Sequence, residues 1–169
     1  MASELFNDFE RELIESARLI LSDGVRRLST REGLFPTNRH QGKAGRQAVT
    51  EARSALVDHL VATYGPLRHE VAVCCLIDAQ GRLIAVEEFP QGKATHCEVS
   101  RRVMADMIIR SGAVAVILAH NHPSGDNTPS KQDEALTAEL AEWLPPLECT
   151  LIDHLVVSVN GAASMLGEF

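Results

Sequence analysis

The feature that most constrains the fold of this chain is an apolar run that ends abruptly in a polar cluster. Residues 113–119 read AVAVILA and residues 120–126 read HNHPSGD. A short apolar run bounded by turn-forming residues is typical of a buried β-strand. If the extended conformation continues past the run, its period of two places His120 and His122 on the same side of the chain. The sequence therefore predicts a strand that brings two imidazole rings to one point.

A carboxylate stands within reach of this strand end. Asp133 follows His122 after ten residues, and it falls in the first turn of a helix predicted from Lys131 to about Trp143. The loop between them is rich in Pro, Gly, Ser and Asn, so it can fold back and bring the carboxylate close to the rings. Two neutral imidazoles and a carboxylate are ligands that zinc takes when one position stays open for water. A polar loop with two ordinary histidines and a solvated acid is the alternative, but the spacing of Pro123, Ser130 and Asp133 favours a metal site.

The rest of the chain alternates helical and extended patterns. Apolar residues at three- and four-residue steps predict helices, and apolar runs bounded by turns predict strands. The predicted helices cover residues 3–21, 45–64, 98–110 and 131–143, and the predicted strands cover residues 70–77, 82–89, 113–119, 147–152, 155–159 and 163–166. The strand at 70–77 is almost continuously apolar, as expected for a central strand buried on both faces. We therefore predict an α/β fold with a mixed β-sheet flanked by helices and an N-terminal helical segment.

The chain of 169 residues is long enough for one domain with a sizeable core and a helical appendage. A stretch with glycine, proline and asparagine near residues 32–44 is the predicted linker. The predicted division therefore places a helical segment at residues 1–66 and the domain with the metal site at residues 67–169.

Charge and composition narrow the classes of function. The chain has 16 basic and 23 acidic residues, so its net charge of −7 provides no global basic field for a nucleic-acid partner. No apolar run approaches the roughly 20 residues that a membrane span needs, and the acidic N-terminus is unlike a signal peptide. The four cysteines, Cys74, Cys75, Cys97 and Cys149, form no CxxC pair. We therefore expect a cytoplasmic protein with reduced thiols and no membrane partner.

The residues around the two histidines resemble a known motif. The pattern His-x-His-Pro, six residues, Ser, two residues and Asp is similar to the JAMM motif of the MPN/JAB metallopeptidases. The match runs from Glu70 to about Met165 and includes GRLIA at 81–85, ILAHNHPSGD at 117–126, TPS at 128–130 and LIDH at 151–154. Over about the last hundred residues, the chain resembles the RadC-type branch of this family.

This resemblance implies a JAB/MPN-type zinc hydrolase domain over residues 67–169, with a cytidine-deaminase-like sandwich fold. It implies a Zn2+ ion held by His120, His122 and Asp133, with water as the fourth ligand. An upstream glutamate would be the general base, and Ser130 would help to hold the water or the oxyanion. The implied reaction is hydrolysis of an amide or isopeptide bond in a peptide or protein, with ubiquitin-like conjugates among the candidate substrates.

The resemblance also suggests which glutamate is the base. Glu87 and Glu88 are adjacent on a predicted strand, so they point to opposite faces and only one can face the metal. In the RadC-type pattern the acid lies five residues before a glycine, and Glu87 stands in that relation to Gly92. We therefore predict Glu87 as the base. Ser130 is also well placed as a helix N-cap, although the catalytic role is favoured. The pair at 153–154 is either a support for the metal ligands or a polar break between two strands.

Departures from the family pattern leave an alternative function open. Lys93 stands where the family has threonine, and residues 101–103 keep only the arginine of a Pro-Arg-Glu run. No helix-hairpin-helix segment is recognisable in residues 1–66. The alternative is therefore a non-catalytic binding or recruitment module associated with DNA repair, although retention of all three predicted ligands favours a hydrolase. A phosphodiesterase that uses the same metal is disfavoured by the acidic charge.

Overall fold

The computed structural model of the chain describes residues 43–90 and 99–169. Three α-helices lie in these ranges: α1 (Lys43–Tyr64), α2 (Arg101–Ser111) and α3 (Lys131–Trp143). The strands there are β1 (Ala72–Ile77), β2 (Leu83–Glu88), β3 (Ala115–Asn121), β4 (Thr150–Ser158) and β5 (Gly161–Ser164). A 3-10 helix, Pro145–Leu147, joins α3 to β4.

The strands form one mixed sheet in the order β2-β1-β3-β4-β5. Strand β1 pairs antiparallel with β2 and with β3, and every residue of β1 is buried. Strands β3 and β4 are parallel, because the chain crosses over through α3 before it returns to the sheet. Strand β5 pairs antiparallel with β4. The strand that carries the histidine motif therefore lies at the centre of the sheet.

Helices cover both faces of the sheet. Helix α1 packs on one face, and its core residues there are Leu56, Leu60 and Tyr64. Helices α2 and α3 pack on the other face, and their core residues there are Met104, Met107, Ile108 and Leu140. His120 is paired with Ala72, which belongs to the core under α2 and α3. Since paired residues share a face, His120 projects from the strand end toward the α2–α3 side.

The predicted fold class, a mixed sheet flanked by helices, is confirmed. Several element bounds were wrong. The strands predicted at 147–152 and 155–159 form the single strand β4, because Asp153 and His154 are buried with hydrogen-bond partners and do not interrupt it. Helix α2 begins at Arg101 rather than at residue 98, because Ser100 is its N-cap. The last strand lies at Gly161–Ser164 rather than at 163–166.

Some predictions concern residues outside the described ranges. They include the helix at 3–21, most of the linker, Gly92, Lys93 and Cys97. The last two residues of the predicted linker, 43–44, belong to α1. The division at residue 66 stays a prediction, while the C-terminal half of α1 packs directly against the sheet. Within the described ranges, no helix has both the length and the apolar character needed to cross a membrane.

Gly65 marks a tight contact between the end of α1 and strand β4. A Cβ atom on Gly65 would lie 2.5 Å from the carbonyl oxygen of Val61 and 2.6 Å from that of Ser158. Both neighbours are backbone atoms, so neither can rotate away. We expect Gly65→Ala to lower the free energy of unfolding by about 1–3 kcal/mol, measured by urea denaturation. Ser54→Ala, at an exposed site on the same helix, should change it by less than about 0.5 kcal/mol; equal stability of the two variants would contradict the crowding argument.

Candidate metal centre

Three side chains converge at the end of β3. His120 is in the strand, His122 follows it directly, and Asp133 is in the first turn of α3. The Nε2 atom of His120 lies 3.1 Å from Nε2 of His122 and 3.0 Å from Oδ1 of Asp133. The Nε2 atom of His122 lies 3.6 Å from Oδ2 of Asp133. These side chains are only 12%, 18% and 13% exposed, so the cluster is largely enclosed by protein.

The separations between these atoms fit a small tetrahedral cation. Zinc bonds of about 2.0–2.2 Å place tetrahedral ligand atoms about 3.3–3.5 Å apart. The observed distance between the two histidine nitrogens is 3.1 Å, and those nitrogens lie 3.0 and 3.6 Å from the two different oxygens of Asp133, all close to this range. Side-chain atoms of His120, His122 and Asp133 all lie within 4.8 Å of one another. The three residues can therefore hold one metal ion and leave a fourth corner open.

A short loop fixes the ring of His122. The backbone N–H of His122 donates to the carbonyl oxygen of Val157 at 2.8 Å, which continues the β3–β4 pairing. The ring Nδ1 lies 2.8 Å from the backbone oxygen of Asp126. A carbonyl can only accept, so Nδ1 carries the ring hydrogen and Nε2 keeps its lone pair for the cluster. Gly125 has a φ of 84°, which lets the loop turn back, and the Asn160 side chain donates to its carbonyl at 2.8 Å.

The ring of His120 lies deeper. Burial lowers the pKa of His120, while the negative charges of Asp133 and Glu70 oppose that shift. The Nδ1 atom of His120 lies 2.9 Å from Nε2 of His154. Burial also lowers the pKa of His154, to about 3, so this ring is neutral near pH 7. His120 therefore directs Nε2 to the cluster and Nδ1 to a neutral partner in the core.

Asp133 is held by a reciprocal helix cap. Its backbone N–H donates to the Ser130 hydroxyl oxygen at 3.2 Å, and its Oδ2 accepts from the Ser130 backbone N–H at 2.7 Å. Burial alone would raise the pKa of Asp133, but the hydrogen bonds with Ser130 outweigh it and leave the pKa below its usual range. The same capping box that begins α3 therefore keeps this carboxylate ionised and aimed at the histidines.

Comparison of the sequence with known families identifies the domain that carries this cluster. The family model described as the RadC-like JAB domain matches residues 50–168, which include all three converging residues. The chain belongs to the RadC-like JAB domain family. The resemblance predicted from the histidine motif is thereby confirmed.

Relatives of this RadC-like JAB domain include bacterial proteins named UPF0758 protein. The one from Ralstonia pickettii (strain 12J) is 41% identical over 110 residues, which cover 65% of this chain and 49% of the relative. The one from Polaromonas sp. (strain JS666) is 35% identical over 159 residues, which cover 86% of this chain and 71% of the relative. The chain spans about half the length of several curated relatives that it matches, and their names state no activity.

The two adjacent glutamates of the RadC-like JAB domain point to opposite faces, as their positions on one strand require. Glu88 is paired with Val73 on the α1 side, where burial and the charge of Glu88 raise the pKa of Tyr64. Glu87 is on the same face as His120, but its Oε2 accepts from the Arg110 guanidinium at 3.0 Å. Glu87 is two strands away from His120 and level with Leu118, two residues before that histidine. Ideal strand spacing then separates the Cα atoms of Glu87 and His120 by about 12 Å. The role of Glu87 as base stays a prediction.

Glu70 is an acid that sequence reasoning missed. It lies just before β1, two residues ahead of Ala72, and Ala72 is paired with His120. Its charge acts on the His120 ring. The available signal was its position at the start of the strand predicted at 70–77, but using it required the pairing of β1 with β3.

Asn121 lies between the two histidines, and its side chain points to the opposite face of the sheet. Its side chain is fully buried. The side-chain oxygen accepts from the Val71 backbone N–H at 2.7 Å, and the amide donates to the carbonyls of Leu67 and His69 at 3.3 and 3.0 Å. The chain from residue 67 to 71 is thus fastened to the histidine motif itself. This connection fixes where Glu70 stands relative to His120.

Asp153 and His154 have separate roles in the RadC-like JAB domain. Both are fully buried. His154 faces the cluster and contacts His120, so it is the supporting residue of the pair. Asp153 points to the other face and accepts from the Ser164 hydroxyl and from the backbone N–H groups of residues 165, 166 and 168. It therefore anchors the C-terminal residues to the sheet.

The Ser130 cap can be tested by stability. We expect Ser130→Ala to lower the free energy of unfolding by about 1 kcal/mol, because it removes the acceptor for the Asp133 N–H, and Ser130→Thr to restore most of the loss. Chemical denaturation of the metal-free protein measures both. Ser100 is a matched control: it caps α2, but its oxygen lies 3.5 Å from the Val103 N–H. Ser100→Ala should therefore cost less, and a larger cost would contradict the assigned strengths of the two caps.

Proposed function

We propose that this RadC-like JAB domain is a zinc-dependent hydrolase that cleaves amide or isopeptide bonds. The observation that carries the proposal is the convergence of His120, His122 and Asp133 within 4.8 Å. The set consists of two imidazoles directed to one point through Nε2 and one carboxylate that is ionised at neutral pH. Such a set suits Zn2+ with one position open to a reactant.

Zinc held by these residues would lower the pKa of a bound water to about 7 and polarise the carbonyl of the scissile bond. The protein supplies the rest of the chemistry. The capping box and the loop at 122–126 hold the ligands in place. A carboxylate accepts a proton from the attacking water and returns it to the leaving amine. The Ser130 oxygen accepts from the Asp133 N–H, so its hydroxyl hydrogen is available to donate to the substrate oxygen.

Two glutamates are candidates for the carboxylate. Glu87 matches the family spacing before Gly92, but its carboxylate would have to leave Arg110 to reach the cluster. Glu70 lies just before the neighbouring strand, two residues from the partner of His120, and its negative charge opposes the lowering of the His120 pKa. These positions support Glu70 over Glu87 as the general base.

The proposed substrates are peptides or proteins, including ubiquitin-like conjugates. The net charge of −7 gives no support to a nucleic-acid substrate. A non-catalytic recruitment module of the same family, with or without a metal, would release no product. Turnover is therefore the property that separates the two functions.

The test uses the purified chain with a proteome-derived peptide library that contains isopeptide-branched peptides, and new termini are identified by mass spectrometry. We expect about one zinc per chain by elemental analysis and cleavage that His120→Ala abolishes together with the zinc. Glu70→Gln should reduce cleavage by about 10²–10⁴-fold while zinc is retained, because it removes the base and none of the ligands.

Glu87→Gln and Glu88→Gln complete the test. Glu88 is the matched control, since it adjoins Glu87 but faces α1. Loss of cleavage in Glu87→Gln with full cleavage in Glu70→Gln would assign the base to Glu87. Zinc binding without any product in the wild type would reject the hydrolase and favour the recruitment module.

A further inference from the structure

Behind His120, a chain of hydrogen bonds runs through the core and ends on another ligand residue. Nδ1 of His120 lies 2.9 Å from Nε2 of His154, and Nδ1 of His154 lies 2.7 Å from the Thr137 hydroxyl. The hydroxyl in turn lies 2.6 Å from the backbone oxygen of Asp133. His154 is 0% exposed and Thr137 is 6% exposed, so water has little access to the chain. We refer to Thr137, His154 and His120 as the relay.

The direction of the relay follows from its last acceptor. The backbone oxygen of Asp133 can only accept, so the single hydroxyl hydrogen of Thr137 points to it. The sulfur of Met165 is a weaker acceptor at 3.5 Å and does not compete with a contact of 2.6 Å. The hydroxyl oxygen must then accept from Nδ1–H of His154. A neutral His154 has no hydrogen on Nε2, so that atom accepts from Nδ1–H of His120.

This direction of the relay determines the protonation of Nε2, the atom of His120 that faces the other two ligand residues. With its hydrogen on Nδ1, the neutral ring presents an unprotonated Nε2 to His122 and Asp133. The opposite tautomer would place a hydrogen where the cation has to bind. In a reversed relay, the Thr137 hydroxyl would donate to Nδ1 of His154. The Thr137 and Asp133 oxygens would then lie 2.6 Å apart with no hydrogen between them.

We propose that Thr137 and His154 are positioning residues that set the His120 tautomer and thereby the zinc affinity of the site. This inference rests on the proposed zinc function. Neither residue touches the metal position. Helix α3 has a double role here, because it supplies both the Asp133 carboxylate and, one turn later, the hydroxyl that orients the other ligand. His120 and Asp133 are thus linked to each other through His154 and Thr137.

The first test measures zinc affinity of the metal-stripped full chain by competition with a fluorescent chelator. Thr137→Val keeps the volume and removes the hydroxyl, so we expect about 10–100-fold weaker zinc binding, whereas Thr137→Ser should bind as the wild type does. His154→Phe should weaken binding similarly. His154→Gln should retain more affinity, because its side-chain oxygen can accept from His120.

Leu56→Ala is the control for general destabilisation, since Leu56 is buried on the other face of the sheet. It should lower the free energy of unfolding by about 2–5 kcal/mol and leave zinc affinity of the folded protein unchanged. Wild-type zinc affinity in folded Thr137→Val and His154→Phe would overturn the relay. Equal loss in Thr137→Val and Thr137→Ser would overturn it as well.

The second test needs neither zinc nor turnover. In the metal-free wild type, imidazole ¹⁵N spectra should place the hydrogen on Nδ1 of both His120 and His154, and Thr137→Val should shift both rings toward the Nε2–H form. A hydrogen on Nε2 of His120 in the wild type would overturn the relay even if zinc binds. The expected tautomers without detectable cleavage would instead reject only the hydrolase.

Discussion

A neutral imidazole binds a cation through the ring nitrogen that has no hydrogen, so a histidine site depends on where the protein places the other hydrogen. This chain meets that requirement in two ways. His122 donates to a backbone oxygen only four residues ahead, within its own loop. His120 donates to His154, which lies 34 residues ahead and on another strand. One ligand is therefore oriented by local structure, and the other is oriented only when the sheet and α3 are assembled.

The β3–α3–β4 crossover brings these parts together. Parallel pairing places His154 beside Leu118, the residue two before His120 on the same face. Ser130 is the N-cap of helix α3 and forms a capping box with Asp133, so the Asp133 carboxylate is fixed by the same hydrogen bonds that begin the helix. Thr137 follows one turn later and faces His154. The crossover through α3, the capping box at Ser130 and the register between β3 and β4 together determine the positions of the cluster residues.

Buried polar groups are costly unless they are paired, and the core around this site satisfies that condition. Asn121 makes three side-chain hydrogen bonds to the segment at 67–71. The Asp153 carboxylate accepts hydrogen bonds from the C-terminal residues, and the Ser158 hydroxyl oxygen accepts from the Asn160 backbone N–H. These bonds have strict geometry, whereas apolar contacts tolerate small shifts. They therefore hold the C-terminal ends of β3 and β4 in one arrangement, next to the metal ligands.

The sequence by itself determined that a strand leads into the histidine motif, although β3 lies at Ala115–Asn121 rather than at the predicted 113–119. It also determined the helix from Lys131, the three converging residues and the α/β class, because each depends on local periodicity, capping or short spacing. It also determined that Glu87 and Glu88 face opposite ways. Only the tertiary structure decided that the charge of Glu70 acts on His120, that Arg110 holds Glu87, and that His154 and Asp153 face opposite sides of the sheet. The pairing of β1 with β3 and the register of β4 against β3, which shifts between Val116 and Ile117, determine these positions. Such pairings arise from packing between segments far apart in the chain, and no local pattern encodes them.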